Sequence, residues 1–94
     1  MSGIKDEALA AFIRKIHARG TSITAIAQLA RVGRPHLEQV INGQRSGRQT
    51  WKHVFPHLEE AEVFHLKQCS AWNTHAENAW NDEVASRELV AMAG

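Results

Sequence analysis

Ser22-Ile23-Thr24-Ala25-Ile26-Ala27-Gln28-Leu29-Ala30-Arg31-Val32-Gly33-Arg34-Pro35-His36-Leu37-Glu38-Gln39-Val40-Ile41-Asn42-Gly43 sets out the architecture expected of this chain. Ser22 has the side-chain oxygen that caps a helix start. A helix through Ala30 follows, with Ile26, Ala27 and Leu29 turned inward. Arg31-Val32-Gly33 makes a tight turn. Arg34 and Pro35 then open another helix, where proline is tolerated because the first amides have no intrahelical partner. Leu37, Val40 and Ile41 give this helix one apolar side, and Asn42-Gly43 ends it with residues that accept a left-handed backbone. Two helices meeting steeply need a small residue where their backbones approach, and Ala27 supplies it. A turn this short fixes the second helix, over 34–42, as a protruding element whose outward Arg, Glu, Gln and Asn suit the width of a DNA major groove.

Helical signals continue on both sides. Residues 5–19 carry Ala8, Leu9, Phe12, Ile13 and Ile16 on one face, and Gly20 stops them. After the polar, basic loop 44–48, Thr50 is placed to cap a short helix over 51–55 that Pro56 interrupts. Residues 58–66 read as a fifth helix, with Leu58, Ala61, Val63, Phe64 and Leu66 as core candidates. A last helix is expected over about 74–92. No stretch alternates like a strand, so the expected class is all-α.

A chain of 94 residues suits one small domain, marginal on its own core and helped by a partner subunit. Its 44% hydrophobic content argues against disorder. Cys69, the one cysteine, excludes an internal disulfide framework and fits a cytoplasmic location. No apolar run approaches a membrane span, and residues 1–6 lack the apolar core of a signal peptide. Charge is segregated. Residues 1–58 hold nine Lys or Arg against three acids, and 59–94 hold two against seven. A basic half facing a polyanion and an acidic half facing away suit nucleic-acid binding, although a soluble surface can segregate charge by chance.

The run from Val32 to Asn42, followed by Gly43-Gln44-Arg45, resembles the phage Cro and C-repressor (lambda repressor-like) family of helix-turn-helix DNA-binding proteins, whose recognition helix runs into Asn-Gly and basic residues. The resemblance covers about residues 5–66. It implies a five-helix core, leaving 67–94 as a C-terminal helical extension. Arg31 stands where the family usually has Gly, and Gly33 where it usually has a Ser or Thr cap. Helix geometry projects Arg34, Glu38 and Gln39 outward. Arg34 suits guanine O6 and N7, Gln39 suits adenine N6 and N7, and Glu38 suits cytosine N4 or the orienting of Arg34. The resemblance implies Arg34, Pro35 and Gln39 as base readers. It implies His36, Asn42 and the residues after Gly43 as phosphate contacts, so Gln44, Arg45 and Arg48 are assigned to the backbone with them. Ser22, at a helix start, is also expected to meet a phosphate.

Other chemistries find less support. His53, His57, His65, Cys69 and His75 invite a zinc reading, but the close Cys pair of a structural site is missing and Pro56 disturbs the first pair. No metal or cofactor is expected. Nor is catalysis, since the sequence has no Gly-rich phosphate loop and no paired-carboxylate motif. Trp51 and Trp72 read as core anchors before they read as stacking platforms for single strands, and Cys69 as a small buried hydrophobe. Trp72, Trp80, Val84, Leu89 and Val90 either pack back on the core or form a two-fold interface. Dimerisation is the favoured reading, since repressors of this kind read paired half-sites. The expected protein is therefore a small phage or prokaryotic transcriptional regulator of repressor type, binding a palindromic operator in double-stranded DNA as a homodimer. No small-molecule ligand, effector domain or membrane is expected. The rival is a protein-interaction module, such as the antitoxin half of a toxin pair.

Overall fold

Asp6 starts the first helix. Its Oδ1 accepts hydrogen bonds from the amides of Ala8 at 3.1 Å and Leu9 at 3.4 Å, which satisfies donors that have no carbonyl one turn earlier. The structure is a computed structural model and describes residues 6–93; the expected helix start at Lys5, and the N-terminal residues read against a signal peptide, lie outside that range. Every regular element in it is helical: α1 (Glu7–Ala18), α2 (Ile23–Ala30), α3 (Arg34–Ile41), α4 (Thr50–Val54), a 3-10 turn (Phe55–His57), α5 (Glu60–Lys67) and α6 (Thr74–Ala93). The all-α expectation holds.

One core runs through all six helices. Leu9, Phe12 and Ile16 of α1, Ile26, Ala27 and Ala30 of α2, Leu37, Val40 and Ile41 of α3, and Val63 and Leu66 of α5 are buried in it. α1 packs on α5, α2 on α3 and α4, and α4 on α6. The first turns of α6 belong to the same core through Ala76 and Trp80. An aromatic cluster makes that join. Trp51 stacks on Phe55 with centroids 5.5 Å apart, Trp72 lies 5.6 Å from Phe55, and Trp80 meets Phe55 edge-on at 5.5 Å. Each fully buried ring contributes about 1.5–3 kcal/mol. Arg87 fastens the next turn of α6. It pairs with Glu83 at 2.7 Å, donates to the carbonyls of Phe55 and Leu58, and lies over the Trp80 ring.

Three core candidates, one helix start and one cap need correction. Leu29 is 59% exposed, because the buried stripe of α2 is Ile26, Ala27 and Ala30, with Ile23 partly buried beside it, and Leu29 falls off its edge. Phe64 is 61% exposed and Ala61 is exposed, whereas Glu62 is fully buried. The inward stripe of α5 is Glu62, Val63 and Leu66, and Phe64 points away from it. The fifth helix begins at Glu60, after Leu58. Its cap is a reciprocal box in which Glu62 reaches back to the amide of Glu59 at 2.9 Å. Finally, Thr50 is the first residue of α4 and does not cap it. Leu89 and Val90, at the far end of α6, are 67% and 70% exposed, so of the apolar residues of that helix Trp80 packs back fully and Val84 partly.

A carboxylate is tolerated inside because Arg19 meets it. The Arg19 Nε pairs with Glu62 Oε2, and Nη2 donates to Glu62 Oε1 at 2.9 Å and to the His57 carbonyl at 2.8 Å. Burial alone raises the Glu62 pKa. The Arg19 hydrogen bond, the Glu59 amide and the Arg19 and Lys15 charges outweigh it, and the net pKa is lowered. Asp6 is lowered as well, chiefly by the Ser70 amide, which donates to its Oδ2 at 2.6 Å and ties the start of α1 to the turn after α5. Cys69 is buried, its thiol donates to the Leu66 carbonyl at 2.9 Å, and burial pushes its pKa up. Among the described residues no three His, Cys, Asp or Glu side chains gather as a metal-binding group, and no helix is long and apolar enough to cross a membrane.

Candidate nucleic-acid interface

The turn between α2 and α3 positions the candidate surface. Ser22 caps α2, its Oγ accepting from the Ala25 amide at 3.1 Å. At the other end the amide of Val32 donates to the Ala27 carbonyl at 3.0 Å and that of Arg31 to the Gln28 carbonyl at 3.2 Å. This pair of bonds closes a helix with a left-handed residue just past its end. Arg31 is that residue, at φ 59° and ψ 41°, and it is the one non-glycine with positive φ among the described residues. Gly33, extended, then serves as N-cap of α3, and Pro35 sits in the first turn. The chain thus leaves α2 and enters α3 within three residues, with Leu37, Val40 and Ile41 buried.

The outward residues of α3 are joined to one another. Arg34 and Glu38, one turn apart and both well exposed, form an ion pair at 3.5 Å. Pro35 is exposed beside them. Gln39 is half-buried, and its Oε1 accepts from the Nε of Arg45. Asn42 caps the helix end, and its Nδ2 donates to the Glu38 carbonyl at 2.8 Å. Gln44, Arg45 and Arg48 are exposed on the loop that follows. His36 is turned partly inward. Its Nε2 lies 2.8 Å from the Thr50 hydroxyl, so the imidazole links α3 to α4 and keeps one ring nitrogen for any other partner. Gln49 holds the N-cap position of α4, and the hydroxyl of Thr50, the first helical residue, is turned to His36.

The loop over 43–47 is more firmly built than its polar composition suggests. Gly43, at φ 82°, closes α3: its amide donates to the Val40 carbonyl at 3.1 Å, and the amides of Gln44 and Arg45 both donate to the Gln39 carbonyl, at 2.8 and 3.2 Å. Further on, the Ser46 carbonyl accepts from Trp51 Nε1 at 3.0 Å and from Asn73 Nδ2 at 2.9 Å. Gly47 is buried at φ 69°, and a Cβ there would stand 2.6 Å from Val40 Cγ1 and 2.7 Å from Trp51 Nε1. Trp51, fully buried, is the anchor its size predicts; Trp72 is half-buried against it. Sequence reasoning missed Ser46, Gly47 and Asn73 as the supports of this loop. Gly47 carried a signal, as a glycine in a turn, while nothing local tied Asn73 to Ser46.

In comparisons with known proteins, no family model matches the chain, and no characterised protein or solved structure matches it significantly.

Proposed function

We propose that the chain is a sequence-specific DNA-binding regulator of the phage-repressor helix-turn-helix type, with α3 as the recognition helix. The observation that carries this reading is the joint between α2 and α3. Three residues with a left-handed turn at Arg31 present α3 with Leu37, Val40 and Ile41 inward and with Arg34, Pro35, Glu38 and Gln39 outward. Two helices in this relation let the second enter a major groove while the first meets the backbone. Arg34, Pro35, Glu38 and Gln39 are the base-reading set. Ser22, His36, Asn42, Gln44, Arg45 and Arg48 are the candidates for phosphate. The acidic α6 then belongs on the side away from DNA. Regulation would run through protein concentration at a palindromic operator.

The exposed Leu89, Val90 and Met92 at the end of α6, with Phe64 on α5, favour a protein contact as well. A second copy is the partner that a palindrome requires, and the rival occupant is an unrelated protein, as in an antitoxin. Selection of bound sequences from a random duplex pool tests the reading: an inverted repeat with half-sites about one helical turn apart is expected. Arg34→Ala and Gln39→Ala should each lose about tenfold in affinity for the selected duplex. No binding to any duplex at low salt overturns the DNA reading, and a single unrepeated site overturns the homodimer.

A further inference from the structure

Three features converge on Arg45. Gly43 turns the chain back so that the Gln44 and Arg45 amides both sit on the Gln39 carbonyl. Two residues downstream of Gly43's neighbour, Ser46 is clamped by Trp51 and Asn73, and Gly47 is seated against Val40. Arg45 is therefore delivered to Gln39 by a backbone fixed on both sides, and its Nε donates to Gln39 Oε1. The chemistry of that bond settles which way the amide faces. A guanidinium has only donors, so the atom it meets must be the carboxamide oxygen. The NH2 end of Gln39 is then directed away from Arg45.

We propose that Arg45 is a positioning residue for base recognition: it locks the Gln39 amide in one of its two orientations, which makes Gln39 a reader of adenine. Locked this way, Nε2 donates to adenine N7, and the second lone pair of Oε1 accepts from adenine N6. Unlocked, the amide turns over freely and the same side chain accommodates other base edges. This role takes Arg45 out of the phosphate-contacting set given above, since a phosphate contact adds affinity without regard to sequence. This inference rests on the DNA-binding reading above.

The test uses the duplex selected by the wild-type chain and a set of duplexes altered one base pair at a time, with the Arg45→Ala, Gln39→Ala and double variants. Positioning predicts that Arg45→Ala lowers discrimination at one adenine-bearing base pair by about tenfold. It also predicts an unchanged salt slope, and no further loss of discrimination when Arg45→Ala is added to Gln39→Ala. A phosphate role predicts the opposite: all duplexes weakened alike, a salt slope smaller by about 1, and the same loss in the Gln39→Ala background. That outcome overturns the inference and leaves DNA binding standing. Failure of the wild-type chain to select any duplex brings down the DNA reading itself, and the inference with it. A readout in the free protein stands apart from both. Arg45→Ala should shift the Gln39 side-chain amide resonances, and an Arg45 Nε–H that exchanges with water like that of a free arginine would overturn the lock.

Discussion

Replacing Gly47 by alanine should unseat the loop that carries Arg45, and a second glycine provides the control. Both Gly47 and Gly20 are left-handed, at φ 69° and 82°. An L-residue there pays about 1–2 kcal/mol in backbone strain. A Cβ on Gly20 has nothing within 4 Å, so strain is the whole penalty. A Cβ on Gly47 would stand 2.6 Å from Val40 Cγ1 and 2.7 and 2.9 Å from two atoms of Trp51, all fully buried side chains with no room to retreat. Overpacking of this kind costs about 1–3 kcal/mol. If Trp51 shifts, its bond to the Ser46 carbonyl goes too, for about 1 kcal/mol more. The sum is about 3–6 kcal/mol for Gly47→Ala, against about 1–2 for Gly20→Ala. A chain of 94 residues has about 5–14 kcal/mol in total. Urea unfolding followed by far-ultraviolet circular dichroism should give Gly20→Ala a slightly lowered midpoint and Gly47→Ala a midpoint lowered about three times as much. Equal midpoints for the two variants would refute the reasoning, since the contacts with Val40 and Trp51 would then add nothing to the backbone strain the two sites share.

Arg31→Gly should stabilise the protein by about 0.5–1 kcal/mol, the strain relieved at φ 59° less the entropy of a freer unfolded backbone; a thermal melt raised by a few degrees checks it, and a lowered melt counts against the turn. Arg19→Ala leaves the Glu62 carboxylate buried without its partner and should cost about 3–5 kcal/mol, much of it recovered when Glu62 is replaced by leucine in the same chain. The same pair sets an acid limit. Because the folded pKa of Glu62 lies below its ordinary 4.5, its contribution is complete above about that pH and is lost as pH falls through the lowered value. Stability measured from pH 6 down to 3 should fall, and Glu62→Gln should flatten part of that fall.

What could be read in the sequence was what neighbours along the chain decide. The apolar stripe of α1, the Ser22 cap, the turn over 31–33 and the proline in the first turn of α3 all depend on residues within one or two helical turns, and they stand where expected. That Arg31 occupies a position where glycine is usual came from the family resemblance instead, and its left-handed backbone fits that expectation. Failures came where distant residues decide. Phe64 was a core candidate and Glu62 was not, because Arg19, 43 positions away, is what gives the carboxylate a partner inside. Thr50 looked like a cap, but His36 claimed its hydroxyl. The loop over 44–48 read only as a polar, basic segment, because its supports, Trp51 and Asn73, lie further along the chain. The outward face of α3 was legible as a list of side chains; their pairing, Arg34 with Glu38 and Gln39 with Arg45, was not.

The aromatic cluster decides what light can report about this protein. The chain has three tryptophans and no tyrosine, and Trp51, Trp72 and Trp80 all gather around Phe55. Intrinsic fluorescence and the near-ultraviolet spectrum therefore watch one place, the seam between α4 and α6. Helices α1, α2 and α3 are optically silent. Unfolding that begins at α6 registers at once, and loosening confined to α2 and α3 escapes notice unless far-ultraviolet dichroism is followed beside it. Coincidence of the two signals through a denaturant titration is then a direct measure of whether α3 and the C-terminal helix unfold as one.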